Sequence, residues 1–200
     1  MKTIYRLRSD VANYSSFIQD YETGVDESIM SVAVHQRWKP FIDWNPIRLS
    51  LRESDSGKRN YAFDISGSLF PFYVFSEEAV KALNDILVEN GQILSVDCER
   101  KKKKFLGYYP TRTFSNCLDM EKSLYGKYEK GMVVRKPVLI GENLPDREIF
   151  TIEEDARVFV NSSFKDAVER AGLAGFDFSE VVETSWDRSI WTKPSTFWER

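Results

Sequence analysis

One histidine, His35, and two cysteines, Cys98 and Cys117, are all that this 200-residue chain carries of the side chains that most often hold zinc or act as nucleophiles. Scattered as they are, they make neither a zinc pattern nor a disulfide framework. The ten glycines include no G-x-x-x-x-G-K and no G-x-G-x-x-G, so neither a nucleoside triphosphate nor a dinucleotide is suggested. Long apolar runs are missing too. The longest, Leu69 to Phe75, falls far short of the roughly 20 residues that span a bilayer. Met1 to Asp10 carries Lys2, Arg6, Arg8 and Asp10 and lacks the apolar stretch of a signal peptide. These absences point to a cytoplasmic protein with reduced thiols and no membrane partner.

What is present is the composition of a globular protein, with 42% hydrophobic, 14% aromatic and 30% charged residues. A chain of this length buries roughly 70% of its unfolded surface, enough for one large domain or two small ones. Its 31 acids and 28 bases give a net charge of −3, unevenly spread. Residues 1–95 carry 13 acids and 10 bases, residues 96–141 carry 5 and 11, and residues 142–200 carry 13 and 7. Either the basic middle lies against the acidic last third or both are solvated. Arg100, Lys101, Lys102, Lys103 and Lys104 precede Phe105, Tyr108 and Tyr109, a mixture that can track phosphates and stack bases. The acidic remainder repels phosphate, so nucleic acid is not the expected partner.

Turn formers dominate the first sixty residues. Ile29 to Val34 alternates weakly as a strand, while Ile47 to Leu51 and Tyr61 to Ile65 read as a hairpin across the polar turn Ser54 to Asn60. Trp38, Pro40, Trp44 and Pro46 mark a fixed irregular segment before it. From residue 70 the signals sharpen. A strand at Phe72 to Phe75, the N-cap Ser76, Glu77 and Glu78 in the first turn, the stripe Ala79, Val80, Leu83, Ile86 and Leu87, and Gly91 as the stop predict a helix of about 14 residues. Gln92 to Cys98 and Phe105 to Tyr109 follow as a second hairpin with the five bases at its tip.

A similar unit recurs later: Val158 to Val160, Asn161 as N-cap, a helix over Ser162 to Ala171, Gly172, then the extended Phe176 to Val182. Strand, cap, helix, glycine, strand thus occurs twice, by duplication or by chance. The expected fold is α+β, mostly antiparallel, with two principal helices. It divides into a β-rich segment over 1–65 and a domain over 66–200 with a tryptophan-rich tail.

No catalytic constellation emerges. His35 has neither a serine elbow nor a cysteine beside it. Glu153, Glu154 and Asp155 lack the spacing of a calcium loop and read as a hard-cation cluster or a solvated turn before Arg157. No catalytic residue, metal or cofactor is expected. The tail is unusual: Trp186, Asp187, Trp191, Phe197 and Trp198 interleave aromatic rings with charge, residue types enriched in binding hot spots. It either contacts a partner or wraps its own domain. With Arg100 to Lys104, here a hairpin tip, it supplies the candidate partner-binding residues.

Phe70 to Val96, Asn116 to Ser123 and Ile149 to Val182 together resemble the DUF1629 group, the Imm11-type immunity proteins of bacterial polymorphic toxin systems. The match rests on Val74-Phe75-Ser76 entering a helix with Leu83, Gly91 and Ile93-Leu94 following. It rests also on Leu118-Asp119 with Ser123, and on Ala171 to Phe178. It covers roughly residues 65 to 182 and departs at Ser95, where the family often has proline. The resemblance implies a non-enzymatic protein that binds and neutralises a cognate toxin acting in the cytoplasm. The alternatives are a non-catalytic protein- or peptide-binding regulatory module and, third, a small hydrolase built on His35 or carboxylates.

Overall fold

The computed structural model of the protein describes residues 2–21, 27–98, 103–129 and 131–186. The chain begins with β1 (Ile4–Arg6), β2 (Arg8–Ser9), β3 (Ser16–Gln19), α1 (Ile29–Gln36), β4 (Ile47–Arg52), β5 (Ile65–Ser66) and β6 (Tyr73–Ser76). Then come α2 (Glu77–Ala82), α3 (Asn84–Asn90), β7 (Gly91–Cys98), β8 (Phe105–Pro110) and β9 (Thr113–Phe114). It continues through β10 (Leu124–Tyr128), β11 (Gly131–Lys136), β12 (Val138–Ile140) and a 3-10 turn at Gly141–Asn143. The last described elements are β13 (Ile149–Ile152), β14 (Asp155–Asn161), α4 (Ser162–Arg170), β15 (Phe176–Asp177) and β16 (Val181–Ser185).

These elements form an α+β fold with two six-stranded, mostly antiparallel sheets. An early sheet has the order β3-β4-β7-β8-β6-β5, and a late sheet has the order β12-β16-β1-β14-β13-β9. In the early sheet β6 leads through α2 and α3 to β7, and β8 lies between them, antiparallel to both. The late sheet does the same: β14 leads through α4 to β16, with β1 between them and antiparallel to both. The agreement extends outward. β4 is parallel to β7 as β12 is to β16, and β5 lies antiparallel outside β6 as β13 does outside β14. The strand-helix-strand repetition therefore belongs to a repeat of five strands, whose second copy takes its central strand from residues 4–6.

Alternation along the strands divides the apolar side chains into three cores. Tyr73, Phe75 and Tyr108 of the early sheet meet Ile149, Val158 and Val160 of the late sheet, with Ala79, Leu83, Leu87, Phe164 and Val168 from the helices packed among them. On the far side of the early sheet Phe72, Val74 and Tyr109 pack under Ile29 and Ala33 of α1. On the far side of the late sheet Phe150, Ile152 and Phe159 pack under Val134 of the β10–β11 ribbon and under Leu118.

The helix starts form as their caps dictate. The Ser76 hydroxyl accepts the Ala79 N–H at 3.0 Å, and Asn161 Oδ1 accepts those of Ser163 and Phe164 at 2.9 and 3.2 Å. The predicted 14-residue helix is interrupted at Leu83, which separates α2 from α3. Gly91 is extended rather than left-handed, and it is needed because a Cβ there would stand 2.6 Å from the Tyr108 ring.

Two expectations fail. Ile29 to Val34 is helix α1, not a strand; the Tyr109 hydroxyl donates to the Ala33 carbonyl at 2.8 Å and Gln19 Oε1 accepts the Ile29 N–H at 2.7 Å, tertiary bonds that local alternation does not reveal. β4 forms no hairpin with Tyr61 to Ile65, because it is already paired on both edges, by β3 and β7. The tryptophan-proline segment is fixed as predicted. The Gln92 amide both accepts from the Phe41 N–H at 2.8 Å and donates to its carbonyl at 2.9 Å, and the Trp44 indole stacks on Phe72 with centroids 5.4 Å apart.

Candidate functional site

Of the predicted partner-binding residues, Trp186, Lys103 and Lys104 are among those described. Asp187, Trp191, Phe197, Trp198, Arg100, Lys101 and Lys102 lie outside them. The structure does not bring Trp186 and Lys103 together, since Trp186 follows β16 in the late sheet and Lys103 precedes β8 in the early one.

Trp186 is 41% exposed and lies directly across Gly141, where a Cβ would come within 2.3 Å of the indole. A glycine at 141 is what lets the ring lie flat, while its Nε1 donates to Thr184 Oγ1 at 3.3 Å. The indole forms one wall of a hollow of about 500 Å³ shared with Asp119, Met120, Glu121, Lys122 and Glu142. Asp119 is held well below the usual carboxylate range by the Ser185 hydroxyl and, against the cost of its burial, by the N–H groups of Lys122 and Glu121 and the Lys122 ammonium. It stays charged and keeps the 119–122 turn folded beside the ring. Substituting Gly141 by alanine should displace the indole, shifting tryptophan emission.

Lys103 behaves differently from a solvated tip. Its side chain is only 25% exposed, and its ammonium donates to Asp64 Oδ1 at 2.6 Å and to the Phe63 carbonyl at 3.0 Å. Only Lys104, the other described base of that run, is exposed. The Ser76 hydroxyl also donates to Asp64 Oδ1 at 2.6 Å, and the Ala174 N–H to Oδ2 at 2.8 Å. Burial alone would raise the Asp64 carboxyl, yet these bonds together hold it low.

A groove of about 670 Å³ was not legible in the sequence. Ala33, Val34, Arg37 and Trp38 form one wall, Pro71, Thr113 and Met132 line it further, and the turn Glu153, Glu154, Asp155 closes the other side. Arg37 and Trp38 both have positive φ, 47° and 65°, and the Trp38 N–H is anchored to the Tyr109 hydroxyl at 2.8 Å. Asp155 pairs with Arg157, whose guanidinium also donates to the Val134 carbonyl at 3.0 Å, so this carboxylate is structural. Thr113 Oγ1 and Glu154 Oε2 are buried without a hydrogen-bond partner. The elements that meet here are distant in sequence, and no local pattern marks them.

Two of the three histidine and cysteine side chains have contacts within the fold. His35 lies in the last turn of α1, its Nδ1 2.8 Å from the Ser31 carbonyl. The Cys117 thiol is pushed up to about 11 by burial, with the Glu154 carboxylate adding to the shift, so it is not a ready thiolate. Among the described residues no three histidine, cysteine or acidic side chains gather as a metal site, and no helix is long and apolar enough to cross a membrane. No protein-family model matches the chain, and comparison with curated proteins finds no match.

Proposed function

We propose that this protein is an immunity protein that binds and neutralises a cognate bacterial toxin acting in the cytoplasm, by stoichiometric association rather than by chemistry. The resemblance over residues 65 to 182 supports the family. The observation that carries the reading is Trp186, a half-exposed indole set in place by Gly141 and Thr184 and rimmed by Asp119, Lys122 and Glu142. A rigid aromatic with a charged surround is the usual anatomy of a binding hot spot, because its ordering cost is already met in the free protein.

The test is binding to the toxin encoded beside its gene, inactivated at its own catalytic residue, together with growth protection against the active form. Formation of a one-to-one complex and rescue of growth are expected. Trp186→Ala should weaken the complex by about 30-fold, the loss of roughly 2 kcal/mol at a hot spot, while the melting temperature moves little. Retained affinity with lost stability would show that the ring serves only the fold. A protein that neither binds nor protects would reject the function altogether.

A further inference from the structure

The hollow beside Trp186 is acidic. Its lining holds three carboxylates, Asp119, Glu121 and Glu142, against a single ammonium, Lys122, a net charge of −2. Lys122 is engaged within that lining, its Nζ 3.5 Å from Asp119 Oδ2. Asp119 is engaged in turn by the same ammonium and by the N–H groups of Glu121 and Lys122, both at 3.1 Å. The exposed carboxylates of the hollow are those of Glu121 and Glu142.

The indole offers this hollow a ring face and not a donor. Its Nε1–H is taken by Thr184 Oγ1 at 3.3 Å. A Cβ on Gly141 would meet Cε2, Cζ2 and Cδ2 of the indole at 2.3, 2.4 and 2.6 Å. Three atoms about the ring fusion at nearly equal distance mean that one face is laid on the backbone, and the opposite face is the one left to bind. An aromatic face carries the negative side of the ring quadrupole. The open face and the carboxylates therefore attract the same kind of group, a cation. Leu118, Met120 and Ile140 make the rest of the lining apolar, which suits a charge carried on an apolar stem. A hollow of about 500 Å³ admits a long side chain whole.

We infer that the Trp186 hollow receives an arginine side chain from the surface of the toxin, its guanidinium stacked on the open indole face and hydrogen-bonded to Glu121 and Glu142, its stem against Met120 and Ile140. The inference deepens the immunity reading and rests on it. Charge complementarity selects a basic occupant. Arginine is favoured over lysine because a planar guanidinium covers the ring while its N–H groups stay free, in its own plane, for carboxylates at the rim, and because it is more weakly hydrated than an ammonium.

The experiment uses the full chain and the inactivated toxin, with association and dissociation rates measured at several salt concentrations. Trp186→Leu should lower affinity about tenfold and Trp186→Phe only about threefold, because phenylalanine keeps an aromatic face. Equal losses in the two would reduce the contact to apolar burial and overturn the guanidinium. Glu121→Lys should slow association about threefold at low salt, and about tenfold when combined with Glu142→Lys, with unchanged melting curves and a loss that shrinks as salt rises. Faster association in either variant would assign the hollow to an acidic group instead. When the toxin's surface arginines are replaced one at a time by methionine, one replacement should cost about tenfold against the wild-type chain and nothing further against Trp186→Leu. Purely additive losses at every arginine would overturn the inference and leave the immunity reading standing. So would a wild-type dimer broken by Trp186→Leu with toxin binding intact, since the hollow would then serve a second copy of the chain. No complex and no protection with the wild-type chain would sink the underlying reading itself.

Discussion

Asp64→Asn is expected to lower the unfolding free energy by about 3 kcal/mol, the loss that follows when one partner of a largely buried ion pair is removed. The Asp64 side chain is only 10% exposed and gathers three donors: the Lys103 ammonium, the Ser76 hydroxyl and the Ala174 N–H. Asparagine offers one acceptor oxygen and turns an NH₂ group toward the remaining donors. Lys103 is left half-desolvated without its counter-charge, and the hydroxyl that caps α2 loses the acceptor that orients it. For a chain of this size the loss corresponds to roughly 6–12 °C in melting temperature.

The sign of the pH dependence follows from the low carboxyl of Asp64. A folded-state value below the unfolded one, about 3.9, means that the wild-type advantage is fully present above that value and is lost as pH falls through the folded one. Urea unfolding should show the full gap between wild type and variant at pH 7 and a narrowed gap near pH 3. In a double variant, Asp64→Asn with Lys103→Met, part of the stability should return because no unpaired cation remains. A gap of the same size at both pH values would show that the carboxylate's charge contributes nothing.

Gly107→Ala is expected to cost about 3 kcal/mol, at the upper end for overpacking a core. Gly107 is in β8, hydrogen-bonded on both sides within the sheet, opposite Leu94 of β7 and Val74 of β6. A Cβ there would stand 2.2 Å from Phe72 Cζ. The ring cannot withdraw, since it is fully buried and stacked on Trp44, and neighbours on both sides hold the strand in place. Phe72→Leu removes the clashing ring edge and by itself should cost about 1 kcal/mol. The pair should therefore be more stable than Gly107→Ala alone, as chemical denaturation of the four proteins would reveal. Additive losses would place the strain elsewhere.

The parts of this fold legible in the sequence are those whose causes are local. Ser76 and Asn161 cap helices that begin immediately after them, and the short apolar run Phe72 to Phe75 just before the cap is a strand signature readable without any partner. α1 is not of this kind. Ser28 makes no capping bond, Ile29, Val32 and Val34 favour extended backbone, and the helix is held by Tyr109 and Gln19 from distant strands. Lys103 looked like any lysine in a basic run until Asp64 was placed beside it. Trp186 stood out by composition, but the reason it lies flat is a glycine 45 residues earlier. The groove depends on register and on which strands meet, properties of the whole chain.

The place of β1 carries a consequence for how the chain assembles. All six strands of the early sheet come from residues 16–110, so that sheet can form while the rest of the chain is still unfolded. The late sheet cannot, because its central strand is residues 4–6 and both neighbours, β14 and β16, lie more than 150 residues away. Closing so long a loop comes late, since its entropy must be offset by contacts that form only together. Until then β14 and β16 each present an open edge to the other, with a gap one strand wide. During synthesis β1 is held in reserve until β14 and β16 are delivered, and the interval between them is when a foreign strand could take its place.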